Sequence, residues 1–144
     1  MTRVELVSFK ASRVLGRLER IRVGLAVGAE QFSSRVDLVE QVAFNMLLAV
    51  QESVDLGSHI VTDEGWGAPA SLGDTFTFLQ QHGVITAETA ATMQQGTKLR
   101  NLIAHAYGDV DPNKLFLAAT AGIGQFERFL AEIGDWVTAR SGDG

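Results

Sequence analysis

Cysteine is absent from this sequence, which excludes disulfides and thiolate metal sites. The histidines, His59, His82 and His105, stand far apart, and no H-E-x-x-H, P-loop or G-x-G-x-x-G pattern is present, so neither a metal nor a cofactor is expected. No apolar run approaches the roughly 20 residues that span a bilayer. The stretch from Met1 to Lys10 has no apolar core behind a basic start, so a secretory signal is not expected. Together these point to a cytoplasmic protein with no membrane partner. No strand-like alternation occurs, and there is no internal repeat or linker.

What is present is a chain of 144 residues, 46% of them hydrophobic. That suffices for one domain with a real core, and disorder is not expected. The expected domain covers residues 3–139, with 140–144 as a frayed tail. The net charge of −5 argues against a broad non-specific nucleic-acid footprint. A small site gripping one or two phosphates is compatible with it.

The apolar spacing is helical throughout. Val7, Ala11, Val14, Leu18, Ile21 and Leu25 define a first helix over Val4 to Val27. Lys10, Arg13, Arg17 and Arg20 form a basic stripe beside it, either a solvated face or one that guides RNA or docks an acidic partner. Gly28 ends this helix. Ser34, with Asp37 three residues on, starts the second. The second helix carries Val36, Val39, Ala43, Met46, Val50 and Val54 to about Ile60, and is expected to be the longest. Gln51, Asp55 and His59 stack on one of its faces, which is either solvated or lines a cleft. Gly65, Gly67 and Pro69 break the chain around Trp66, an expected loop anchor. Ser71 caps a short helix with Phe76, Phe78 and Leu79. His82 and Gly83 end it, His82 in a structural role. Thr86 caps a fourth helix reaching Tyr107, and Asp111-Pro112 opens a fifth. That last helix bears Phe116, Ala119, Ile123, Phe126, Leu130, Ile133 and Val137. The fold class is all-α: an antiparallel bundle of four long helices plus one short one.

The fourth helix ends in Arg100-Asn101-Leu102-Ile103-Ala104-His105-Ala106-Tyr107. Arg100 and Tyr107 fall nearly on one line of a helix, and Asn101 and His105 on another. The four span one polar arc, leaving Leu99, Leu102 and Ala106 to pack. Gly96, upstream on the Arg100 row, is expected to mark close approach of a neighbouring helix. RNA can be cut without metal when its 2′-hydroxyl attacks the adjacent phosphate. That needs a proton acceptor, a proton donor and positive charge at the phosphate. An imidazole serves as acid or base near neutral pH, and a guanidinium offers a planar fork to phosphate oxygens. Asn101 can orient His105 or the substrate. Each chain supplies one such histidine, so two chains about a twofold axis would supply acid and base. The same residue types also cap carbonyls at helix ends, so spacing alone leaves both uses open.

The pattern R-x-x-x-x-H-x-Y, here RNLIAHAY followed by Asp111-Pro112, resembles the signature of the HEPN superfamily. Within it the chain is similar to HepT-like proteins, the toxin halves of bacterial two-gene modules. Phe44 to Ile60, with Asp55-Leu56-Gly57 and His59-Ile60, resembles that family's second helix. Ser71 to Ile85, ending in His82-Gly83-Val84-Ile85, resembles its short third helix. The likeness runs from about Ser8 to Trp136. Ala106 departs from it, since the family often carries an acidic residue there.

The resemblance implies a HEPN-like fold and an endoribonuclease toxin of a type VII-like module. Arg100 and His105 would be catalytic, in a cleft between two protomers of a homodimer, with Asn101 and Tyr107 supporting. It also implies an MNT-type nucleotidyltransferase antitoxin that places AMP on Tyr107 and so blocks the phosphate site. If the face of Gln51, Asp55 and His59 lines a cleft rather than meeting solvent, these three residues look toward the Arg100–Tyr107 arc. Two other uses remain open from the residues. One is a non-catalytic module that holds nucleotide or substrate for a nucleotidyltransferase. The other is a helical assembly protein whose motif only caps.

Overall fold

The computed structural model describes residues 2–106 and 109–142. These form α1 (Arg3–Leu25), α2 (Ala29–Ser34), α3 (Val36–Asp63), α4 (Leu72–Gln81), α5 (Ala87–His105) and α6 (Pro112–Gly142), with no strand among the described residues. No helix among them is long and apolar enough to cross a membrane.

The four long helices close a ring. α1 packs on α3 and α6, and α5 packs on the same two from the other side. The two short helices are add-ons, α4 on α3 and α5, and α2 on α6 and α3. The apolar stripes meet inside. Val14, Leu18 and Ile21 of α1 are wholly buried, as are Ala49, Leu56 and Ile60 of α3 and Phe129 of α6. Phe76 of α4 meets Phe129 edge-on, with ring centroids 5.5 Å apart. Such a pair adds roughly 1 kcal/mol to the burial of each ring.

Local chemistry sets most helix boundaries. Thr2 and Glu5 form a reciprocal capping box at α1, satisfying two otherwise orphaned amides. Ser71 caps α4 through Asp74 N, and Thr86 caps α5 through Thr89 N. The Asp111 carboxylate accepts from the amides of Asn113 and Lys114 at the start of α6. His82 closes α4, its Nδ1 2.9 Å from the Phe78 carbonyl. Trp66 anchors the intervening loop, stacked 4.0 Å from the His82 ring and edge-on to Trp136 at 5.9 Å.

Four expectations are corrected. Residues 29–34 form an extra helix, and Ser34 closes it rather than capping the next. The start of α3 falls at Arg35, which has no side-chain cap but forks onto Asp37 at 3.0 and 2.8 Å. The longest helix is α6, not α3, and it runs through Arg140 and Ser141 to Gly142. Gly96 faces the neighbouring α3, but not at a tight approach. A Cβ there would sit an ordinary 3.6 Å from Val50, whereas at Gly57 it would lie 2.8 Å from Thr75 Cγ2 and 3.0 Å from Leu79 Cδ1. Gly57 is therefore what lets α4 lie close on α3.

Candidate functional site

α5 presents its buried row, Ala90, Met93, Thr97 and Ile103, to the bundle. Arg100 continues that row toward the helix end, where the core gives way to the half-buried surface of α3. A guanidinium placed there must find acceptors. Its Nε and Nη2 both donate to Gln51 Oε1, at 3.1 and 2.7 Å, and its Nη1 donates to Asn101 Oδ1 at 3.1 Å. Both acceptors are neutral amides. They fix the plane of the fork and leave its charge uncompensated. Among the described residues these bonds use three of its five N–H donors.

The Asn101 side-chain oxygen is thus engaged by Arg100. Asn101 also lines a cleft of about 290 Å³ with Ser71, Asp74 and Lys98. His105 lies exposed in the last turn of α5, which the Ala106 amide closes on the Leu102 carbonyl at 2.9 Å. Five positions separate it from Arg100, about 140° around the axis. Within one chain the guanidinium meets α3 while the imidazole meets solvent. Tyr107 lies outside the described residues.

The polar row of α3 divides. Gln51 meets Arg100, whereas Asp55 turns to α1 and pairs with Lys10. His59 is half-buried, with no polar partner among the described residues. Leu102, expected to pack, is 57% exposed, and Phe44 of α3 is 47% exposed. Phe44 falls out of phase between the buried Ala43 and Met46. Among the described residues no three His, Asp or Glu side chains gather closely enough to hold a metal ion.

Comparison with known proteins supplies what geometry alone does not. Residues 12–133 match the family model described as Ribonuclease HepT-like. The chain belongs to the HepT-like family. Among its HepT-like relatives is the tRNA nuclease HepT of Aphanizomenon flos-aquae, 27% identical over 90 residues, 62% of this chain and 61% of that protein. The chain therefore matches under two thirds of that relative's length. The mRNA nuclease HepT of Shewanella oneidensis is 24% identical over 126 residues, 88% of this chain and 94% of that protein. Among solved structures, the tri-AMPylated Shewanella oneidensis HEPN toxin in complex with an MNT antitoxin superposes with a TM-score of 0.83. That likeness is at 23% identity and covers 92% of this chain and 98% of the other. It shows that the six-helix arrangement is the HEPN fold.

Proposed function

We propose that this HepT-like chain is the toxin of a toxin–antitoxin pair and cleaves RNA without a metal ion, at a site completed by two protomers. The observation that carries the reading is the Arg100 guanidinium, held in place by Gln51 and Asn101 with its charge unspent. A fixed, unneutralised fork suits a phosphate that gains charge as it reacts. The family relatives named as a tRNA nuclease and an mRNA nuclease support RNA as the substrate class and differ on which RNA.

The chemistry follows from the groups available. The 2′-hydroxyl of the substrate attacks the neighbouring phosphorus and gives its proton to one His105 imidazole. The bond from phosphorus to the 5′-oxygen breaks, and a protonated His105 from the second protomer supplies the proton to that oxygen. The products are a 2′,3′-cyclic phosphate and a 5′-hydroxyl. Arg100 neutralises the phosphoryl oxygens throughout. Each chain supplies one such histidine, which is the reason for assigning the site to two protomers, and the angle of about 140° between Arg100 and His105 on one helix agrees with it.

Regulation by an MNT-type partner belongs to the same proposal. The Tyr107 phenol would attack the α-phosphorus of ATP, pyrophosphate would leave, and the resulting AMP ester would set an anion beside Arg100. Purified Arg100→Ala and His105→Ala should be dimeric, folded and unable to cut RNA; cleavage at the wild-type rate by both removes the assignment. Intact-mass spectrometry after co-expression with the partner transferase should show added AMP. AMP still present in Tyr107→Phe moves the acceptor elsewhere. A nucleotide-induced thermal shift with no RNA cleavage by the wild type would instead favour the non-catalytic binding module.

A further inference from the structure

The exposed side of α3 is the floor of a trough. Phe44, Leu48, Gln51 and Asp55 lie along that side, opposite the buried Met46, Ser53 and Ile60. α1 and α5 flank it without touching each other. α5 contributes Arg100 to one wall. α1 contributes Lys10, Arg13, Arg17 and Arg20 to the other.

The cations of these walls exceed the carboxylates they pair with. Lys10 takes Asp55, and Arg13 and Arg17 share Glu52 at 3.3 and 3.6 Å. Arg20 and Arg100 have no carboxylate partner among the described residues. Arg13, Arg17 and Arg20 surround an open concavity of about 200 Å³. Gly16 borders open space on the same side, where a Cβ would meet nothing within 4 Å. In a chain of net charge −5 this is a local reversal of sign. Phe44 lies on the same floor two helical turns from Gln51, about 10 Å along the axis.

We propose that this trough is a track for single-stranded RNA leading to Arg100. Arg13 and Arg20 hold backbone phosphates, and the Phe44 ring is a platform for one unstacked base. This rests on the reading of the chain as an RNA-cleaving protein and adds where the strand runs. Cations alone would suit an acidic polypeptide equally well. An exposed aromatic face among them favours nucleobases, and a single strand rather than a duplex, whose bases stack on one another.

The test uses the full chain and a fluorescein-labelled single-stranded RNA with methylated 2′-hydroxyls, which attack by the 2′-oxygen cannot cut. Affinity is read by anisotropy across a salt series. Arg13→Ala/Arg20→Ala should bind more weakly and flatten the slope of log K against log salt by about 1.4, two phosphates at about 0.7 each. Phe44→Ala should bind about fivefold more weakly at an unchanged slope, and Phe44→Trp should restore binding. All three positions are exposed, and thermal melts should match the wild type. Wild-type affinity and slope in both variants would overturn the track even if the wild type cuts RNA. So would failure of the wild type to bind the probe. Loss of binding in the charge variant but not in Phe44→Ala, with polyglutamate competing for the trough, would reassign it to an acidic polypeptide. Variant-dependent binding by a wild type that cuts no RNA would leave the track standing and remove the nuclease reading.

Discussion

Two groups of arginines in this molecule are held in opposite ways. Where α3 and α6 end, Arg3 bridges Asp63 and Glu64 at 2.6 and 2.7 Å, and Arg140 reaches Glu64 at 3.2 Å. Both guanidinium carbons also lie over the Trp136 ring, at 5.4 and 4.6 Å from its centroid. Their charge is spent on the fold. Among the described residues Arg100 is held by amides alone. Carboxylates neutralise what they position, whereas amides position and leave the charge available. The choice of acceptor therefore separates an arginine that fastens helices from one kept ready for an anion.

Substitutions can break that contrast. The largest effect is expected at the amide-held site, where Arg100→Ala or His105→Ala should lower RNA cleavage at least about 100-fold. Denaturant midpoints should stay close to wild type. Next is Trp136→Ala, which should cost roughly 2–3 kcal/mol of stability in urea titrations. Cleavage per folded molecule should be unchanged, and a matching loss of activity would mean the two ends are coupled. Gln51→Glu converts the amide-held arginine into a carboxylate-held one. It should lower cleavage about tenfold through a higher KM, and an unchanged KM would show that the free charge of Arg100 is not used. The smallest effect belongs to Arg140→Ala, half-exposed and worth under about 1 kcal/mol.

How much of this is legible in the sequence depends on the length of the signal. The long helices announce themselves because apolar residues recur over many turns, as from Val7 to Ile21 or from Phe116 to Val137. α2 has six residues, too few for a period, and only Phe32 of it is buried, so it reads as a connection. The caps at Ser71, Thr86 and Asp111 are legible because each uses a side chain within three residues. Ser34 misleads because a serine before a valine-rich run resembles a cap whichever helix it belongs to. At the site, the spacing of Gln51, Asp55 and His59 reveals a shared face. It does not reveal that Gln51 meets α5 while Asp55 meets α1, because that depends on which helices flank α3. The exposure of Leu102 was hidden for the same reason. A residue at the end of a helix can project beyond the neighbour it would otherwise pack against.

Glu132 of α6 grips the opposite end of α5 from the motif. Its carboxylate accepts from the Thr86 amide at 2.7 Å and from the Thr89 hydroxyl. Within one protomer α5 is therefore pinned where it begins, whereas His105 near its other end is exposed. Amide protons should exchange fastest around His105 and progressively more slowly back toward Ala90. Glu132→Gln should erode that gradient from its slow end.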